Sequence, residues 1–241
     1  MNRWVLYGHP LSGHSYKVAL TLSLLGQAFE FRFVDLDQAR DARRPDWRDD
    51  SRFGEVPVLL DDGHAVTQSN TILLHLQAAL APADWETHPD RNAEWLFWEA
   101  NRIGFSFPNY RFARRAGAEV DGAVIDWLHA RLLADLGRLE AELANQAFLT
   151  GSRLAIADLS CAAYLLLDDG AYDLAPWPGI QRWLQRLRTF PGWRSPAELM
   201  SADRGYLVAP AGADAAKGEA RLAAESDAYA ATILKSVKAR R

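Results

Sequence analysis

The chain has 241 residues, of which 49% are hydrophobic and 24% charged, and its formal net charge at pH 7 is −4. This length and apolar content support one large domain or two smaller domains with their own cores. The mildly acidic balance and the scattered basic residues argue against nucleic acid as a partner.

Targeting and metal signals are missing from the sequence as well. No run approaches the roughly 18 apolar residues of a membrane span, and residues 1–9 lack the long apolar segment of a signal peptide. The single cysteine, Cys161, excludes an internal disulfide framework, and the histidines show no metal-ligand spacing. We therefore expect a soluble cytoplasmic protein with no metal and no membrane partner.

The beginning of the chain alternates strand and helix patterns. Residues 3–7 and 28–36 predict strands, and the helix pattern between them ends at Gly26. Two further strands flank residues 61–63, Asp-Asp-Gly, which is a hairpin signal because glycine accepts a positive φ. A second helix pattern starts at Ser69, so this part of the chain is predicted to form an α/β domain.

The rest of the chain is helical in period. Residues 81–90 contain two prolines and predict a linker between the α/β domain, residues 1–80, and an all-α domain, residues 91–200. The predicted helices of this second domain are 91–107, 121–145, 156–167 and 178–189. The first is apolar on two sides, which predicts burial in the core on one side and in a cleft or subunit interface on the other. Residues 201–241 predict an extension, with a loop around 205–212 and then a helix.

The segment between the first strand and the first helix, YGHPLSGHSYKV, concentrates polar groups. It contains two serines and two histidines within 12 residues. Taken alone, a serine in such a loop more often caps the helix or closes the turn than takes part in chemistry. The functional interpretation therefore depends on what the later segments add.

Three stretches together resemble the cytosolic glutathione transferase family, in a serine-type, bacterial-like form. They are YGHPLSGHSYKV, FGEVPVLLDDGHAVTQSNTIL, and FLTGSRLAIADLSCAAYLLL with the following WPGIQRWLQRLRTFPGW. The resemblance spans nearly all of residues 3–200. It implies a thioredoxin-like domain that binds glutathione, an all-α domain that shapes the acceptor pocket, and a homodimer.

The resemblance assigns a role to one serine of the loop. In serine-type classes the active hydroxyl lies five residues before the basic residue of the first helix, here Lys17, which selects Ser12. Ser15 is the fallback, Tyr7 is a weaker alternative, and His14 stands where other classes carry a cysteine. In this role the serine donates a hydrogen bond to the glutathione thiolate and is not itself the nucleophile.

The energetic requirement on this serine is modest. A free thiol has a pKa of about 8.5, and lowering it by about two units requires ~2.7 kcal/mol of preference for the anion. A hydrogen bond to a charged acceptor contributes roughly 1.5–3 kcal/mol, and a helix N-terminus adds a favourable field. One hydroxyl at the start of a helix is therefore sufficient.

The second stretch supplies the expected glutathione-binding residues. By resemblance, Val56-Pro57 is the cis-proline step whose backbone holds the cysteinyl part, and Gln68-Ser69 holds the γ-glutamyl end. Counted back from Pro57 without a gap, Arg43 falls where relatives often carry a lysine that contacts the glycyl carboxylate, and Arg40, Arg44, Arg48 and Arg52 lie nearby in the sequence. Glu55 departs from the family pattern, since relatives carry lysine or glutamine there, and its charge does not favour an anionic tripeptide.

The acceptor and the exact reaction are less defined by the sequence. Four aromatic residues after the first long helix, Phe105, Phe107, Tyr110 and Phe112, are expected to line either the acceptor pocket or the core, with Phe105 and Tyr110 assigned to the pocket. Cys161 is expected in the core. The favoured function is transfer of glutathione, the only cofactor expected, to a small hydrophobic electrophile. The alternatives are glutathione-dependent disulfide reduction and a non-catalytic glutathione-binding or protein-interaction module on the same fold.

Overall fold

In a computed structural model of the protein, the N-terminal part of the chain is built around one mixed β-sheet. The structure describes residues 3–80, 82–116, 119–167, 170, 172–201 and 206–208. The described strands are β1 (Trp4–Gly8), β2 (Phe29–Phe33), β3 (Val58–Asp61), β4 (His64–Thr67) and β5 (Tyr206–Val208), in the spatial order β4-β3-β1-β2-β5. β1 pairs in parallel with β2, and the other neighbouring pairs are antiparallel.

The two faces of this sheet are buried against different partners. Trp4 and Leu6 of β1 belong to the main hydrophobic core, which includes side chains of α1 (Gly13–Leu24) and α3 (Ser69–Leu80). Val5 and Tyr7 belong to a smaller core, which Trp47 of α2 (Pro45–Asp50) joins. Side chains alternate between the faces of a strand, so β1 is buried on both sides and holds the loop that follows it in a fixed place.

A helical region follows the sheet domain and shares its main core. Its described helices are α4 (Pro89–Asn101), α5 (Ile103–Ala116), α6 (Gly122–Leu143), α7 (Ile156–Ala162), α8 (Pro178–Arg188) and α9 (Pro196–Leu199). Leu132 and Leu136 of α6 and Trp183 of α8 are fully buried in the same core cluster as Leu6 of β1. Cys161 is also buried, as predicted.

The predicted single helix 91–107 is in fact two helices. Arg102 separates α4 from α5 with a non-helical φ of −117° and ψ of −101°. The buried carboxylate of Asp135 on α6 accepts from Arg102 Nε at 2.8 Å and from the Ser106 hydroxyl at 2.6 Å. This tertiary anchor fixes the break, and Pro108 lies inside α5.

The chain returns to the sheet after the last helix. Residues 206–208, which the sequence suggested to be part of a loop, form β5 at the edge next to β2. The helix predicted further along the extension lies outside the described residues. None of the helices in the described part of the chain combines the length and apolarity that crossing a membrane requires.

Candidate active site

The loop between β1 and α1 places the Ser12 hydroxyl at the start of the helix. The Ser12 N–H donates to the His9 carbonyl at 2.9 Å, which closes a turn. Ser12 is the N-cap of α1, and its Oγ accepts from the Ser15 N–H at 3.1 Å. A capping hydroxyl uses its oxygen as the acceptor and keeps its own proton for another partner. Ser12 can therefore cap the helix and donate to a ligand at the same time.

The two alternative hydroxyls are less accessible. Ser15 is fully buried, and its Oγ accepts from the His9 N–H at 3.2 Å beneath the loop. Tyr7 is 1% exposed, and its hydroxyl accepts from Arg32 at 2.8 Å. Ser12, at 9%, is the most exposed of the three, although its role in chemistry stays a prediction.

Four of the predicted glutathione-binding residues lie at the same end of the sheet. The Val56–Pro57 peptide bond is cis and lies directly before β3, and Gln68-Ser69 directly follow β4. Val58 pairs with Thr67 across the hairpin and with Tyr7 of β1. This register places the cis-proline, the start of α3 and the end of β1 side by side.

Glu55 ties two of these segments together. The Gln68 Nε2 donates to Glu55 Oε2 at 2.8 Å, and the Ser51 hydroxyl donates to the Glu55 carbonyl at 3.1 Å. Gln68 has a φ of 67°, in the left-handed region that non-glycine residues seldom adopt. The residue that departs from the family pattern therefore holds the Gln68 side chain beside the cis-proline turn.

The Arg40 guanidinium lies on Gly54, just before the cis-proline, whereas the Arg43 guanidinium is bound to two carbonyls of its own loop. The Arg43 guanidinium donates to the carbonyls of Leu36 and Gln38 at 3.0 Å each. The Arg40 guanidinium lies over Gly54, so that a Cβ at this glycine would be 2.5 Å from Arg40 Cζ. The sequence placed Arg43 here by counting back from Pro57, and a count along the chain does not report which way a loop arginine points.

The two residues assigned to the acceptor pocket face α6. Phe105 packs edge-on against Trp127, with ring centroids 6.2 Å apart, and the Arg131 guanidinium lies over its ring. Tyr110 is 9% exposed and stacks on His129 at 5.2 Å. These contacts do not bring either residue to the Ser12 loop, and the lining of the acceptor pocket stays a prediction.

A different face of α5 approaches the loop. The Arg111 Nη1 donates to the Leu11 carbonyl at 3.0 Å. Phe107, one turn earlier on the same helix, packs with its ring centroid 6.4 Å from that of Tyr164. Residues four apart share a helix face, so this face offers an aromatic ring and a guanidinium beside Ser12.

Tyr164, which follows α7, is a site residue that the sequence did not indicate. Its ring lies on Gly13, where a Cβ would be 2.6 Å from ring carbons Cγ and Cδ2. Ser12 and the His14 backbone act on the phenol in the direction that lowers its pKa, and burial acts more strongly in the opposite direction. Burial raises the pKa of Tyr164 to about 12, so the phenol keeps its proton at neutral pH. Gly13 at the first helical position was the available signal, but a glycine does not tell which side chain approaches it.

Lys17, which marks the register of Ser12, is the centre of a buried network. Its Nζ donates to Asn70 Oδ1 at 2.8 Å, Glu99 Oε2 at 3.0 Å and Ser160 Oγ at 3.0 Å. Lys17 is fully buried and Glu99 is 2% exposed. Although burial opposes it, the charge of Lys17 holds the pKa of Glu99 below its ordinary value. The partners come from α3, α4 and α7, so the network joins both domains beneath the loop.

His14 lies between this network and the Tyr164 ring. Its Nδ1 is 3.8 Å from Glu99 Oε1, and its ring meets the edge of Tyr164 at a centroid distance of 5.1 Å. Burial and the Lys17 charge lower the pKa of His14 to about 4. The imidazole of His14 is therefore neutral at neutral pH.

The fold and the site define a two-domain class: a thioredoxin-like domain with a hydroxyl at the first helix and a cis-proline opposite, followed by a helical domain. Residues 3–78 match the family model for the glutathione S-transferase N-terminal domain. A solved glutathione S-transferase from Xanthobacter autotrophicus Py2 is 30% identical with a TM-score of 0.71, covering 80% of this chain and 96% of that chain. The curated glutathione S-transferase GstB of Escherichia coli K12 is 28% identical over 78% of this chain and 95% of its own length. The chain therefore belongs to the glutathione S-transferase family, and both the predicted family and the predicted fold class are confirmed.

Proposed function

We propose that the protein is a glutathione transferase, which binds glutathione as its thiolate for attack on a small hydrophobic electrophile. The observation that carries this proposal is the position of the Ser12 hydroxyl. It caps α1 through its oxygen, which leaves its proton available to a ligand. The loop that carries it follows β1, whose end pairs with Val58 next to Val56-Pro57. At this end of the sheet the backbone of the residue before the cis-proline would pair with an extended peptide.

Three contacts would hold the tripeptide. The backbone of Val56 would pair with the cysteinyl part, and the start of α3 at Ser69 would hold the γ-glutamyl carboxylate through the positive end of a 12-residue helix. Arg40, whose guanidinium lies over Gly54, would contact the glycyl carboxylate in place of Arg43. Glu55 would orient Gln68, and its carboxylate would stay hydrogen-bonded to the Gln68 amide.

The chemistry requires no group beyond those of the loop. The Ser12 proton would point at the sulfur, and α1 would add the favourable field of its N-terminus. Together these favour the thiolate by roughly 2–4 kcal/mol, enough to make it the main species of bound glutathione at neutral pH. The sulfur then displaces a leaving group from, or adds to, an electrophilic carbon next to Phe107 and Arg111.

We also propose that the protein is a cytoplasmic homodimer. Leu74 on α3 and Phe97 on α4 are 46% and 77% exposed, which is high for such large apolar side chains. A second copy that covers these helices would remove this surface from water. Sedimentation analysis tests the proposal, and a monomer at micromolar concentration would contradict it.

Calorimetry with glutathione, followed by a transfer assay with an aryl halide, tests the proposed function. We expect binding by the wild type and by Ser12→Ala, with transfer reduced at least about tenfold in Ser12→Ala because a charge-assisted hydrogen bond is lost. Ser152→Ala, an exposed serine of the helical domain, is the matched control and should leave both unchanged. Absence of binding at millimolar glutathione would contradict the proposal and favour a non-catalytic module.

A further inference from the structure

His9 takes part in the hydrogen bond of every backbone N–H group in the loop that presents Ser12. Resting on the proposed function, we propose that His9 is a positioning residue for the thiolate site: its imidazole Nδ1 holds the Leu11 N–H and thereby fixes the direction of the Ser12 hydroxyl. His9 would act through Ser12 and not on the glutathione sulfur itself.

The first step of the argument counts the donors of the loop. The loop between β1 and α1 has three backbone N–H groups, because Pro10 has none. The His9 N–H donates to Ser15 Oγ at 3.2 Å. The Leu11 N–H donates to His9 Nδ1 at 3.1 Å, and the Ser12 N–H donates to the His9 carbonyl at 2.9 Å. One residue therefore takes part in all three hydrogen bonds that these groups donate.

The second step is that these bonds fix the two peptide units before Ser12. A side-chain acceptor that binds the N–H two residues later closes a short local turn, and His9 Nδ1 does this with Leu11. The next peptide unit is held at both polar groups. Its carbonyl, that of Leu11, accepts from Arg111 Nη1 at 3.0 Å, and its N–H, that of Ser12, donates to His9. Ser12 therefore leaves the loop in a fixed direction, which is what a preorganised donor requires.

The third step concerns the protonation of the ring. A backbone N–H can only donate, so Nδ1 is the acceptor and the proton of the neutral ring lies on Nε2. Burial lowers the pKa of His9 more than the charges of Asp37 and Asp35 raise it. The Arg111 guanidinium adds to the lowering. The ring is therefore neutral at neutral pH, and it packs on Phe33 with ring centroids 5.4 Å apart.

Two substitutions of His9 separate the ring from its acceptor atom. His9→Phe keeps an aromatic ring against Phe33 and removes Nδ1. His9→Asn removes the ring and keeps an acceptor, since Oδ1 of asparagine is bonded to Cγ as Nδ1 of histidine is. The readout is the pKa of the thiol of bound glutathione, followed by ultraviolet absorbance of the thiolate.

The thiol pKa should respond to the acceptor and not to the ring. We expect it to rise by about half to one unit in His9→Phe, because one hydrogen bond to the thiolate is weakened, and to keep the wild-type value in His9→Asn. Below the thiol pKa, kcat/KM of His9→Phe should fall about three- to ten-fold and recover at higher pH. His9→Asn should show no such fall.

Two comparisons test the route of the effect. His64→Phe makes the same exchange at an exposed position of β4 and should leave the thiol pKa unchanged. In the Ser12→Ala background, His9→Phe should have no further effect on the thiol pKa, because the ring acts through the Ser12 hydroxyl.

The outcomes distinguish this inference from the proposed function. If the wild type lowers the thiol pKa and His9→Phe lowers it equally, the positioning role is wrong and the transferase stands. The role is also wrong if His9→Asn raises the thiol pKa as much as His9→Phe does, or if His9→Phe still raises it in the Ser12→Ala background. If the wild type does not lower the thiol pKa, the proposed function fails, and this inference fails with it.

Discussion

Replacing Lys17 by methionine should destabilise the protein strongly, because Lys17 holds both domains together from beneath the loop. Its ammonium is fully buried and has polar partners on α3, α4 and α7. Methionine has a similar length and fills the same space, so the change removes the charge and leaves the packing. Glu99, at 2% exposure, then loses the ammonium that balances its charge.

The expected cost follows from the buried carboxylate that is left behind. Removing one partner of a buried ion pair costs about 3–5 kcal/mol, mostly because the other charge stays desolvated and uncompensated. The free energy of unfolding of a domain is about 5–15 kcal/mol, so this loss is a large fraction of it. For a chain of this size the midpoint of thermal unfolding should fall by about 6–20 °C.

Urea unfolding followed by the fluorescence of the nine tryptophans measures this loss. Arg138→Met is the matched control, since it breaks an ion pair with Glu142 on the surface of α6, where the arginine is 57% exposed. That change should cost less than about 1 kcal/mol. Adding Glu99→Gln to Lys17→Met should recover at least half of the loss. If Lys17→Met costs no more than Arg138→Met, the network does not stabilise the fold as argued.

Further changes address the loop and the tripeptide site. Gly13→Ala puts a Cβ 2.6 Å from the Tyr164 ring, and should cost about 1–3 kcal/mol in unfolding free energy through overpacking; an unchanged urea midpoint would refute that contact. The wild type should lose stability as pH falls from 6.5 towards 4. Over this range His14 takes up a proton in the unfolded chain but not in the folded protein, where its pKa is about 4. The His14→Gln variant should lose less unfolding free energy than the wild type over this pH range, as measured by urea titrations at several pH values. Equal losses in the two proteins would contradict the lowered pKa of His14. Arg40→Ala should weaken glutathione binding in calorimetry more than Arg43→Ala, and the reverse order would restore Arg43 as the ligand.

The sequence predicted the elements whose patterns are local. The order of β1, α1, β2, the β3–β4 hairpin and α3 follows from apolar periodicity and from Gly63 with its φ of 87°. The short helix α2 (Pro45–Asp50) was not predicted. The cis peptide bond at Val56–Pro57 was expected by resemblance, and the structure has it. Local pattern and family resemblance together were sufficient for the framework of the thioredoxin-like domain.

Contacts between distant segments could not be predicted in this way. The break at Arg102 depends on Asp135, 33 residues later, and the orientation of Gln68 depends on Glu55. Tyr164 looked like one residue of an apolar run, yet packing brings it onto Gly13. A periodicity argument reports which face of an element is apolar, and it does not report which partner meets that face.

The measurement that tests the central claim most directly is the titration of bound glutathione in the wild type and in Ser12→Ala. The account predicts a thiol pKa lowered by about two units in the wild type, and a value near that of free glutathione in Ser12→Ala. An equally lowered pKa in both proteins would contradict it, since the thiolate would then be stabilised by groups other than the Ser12 hydroxyl.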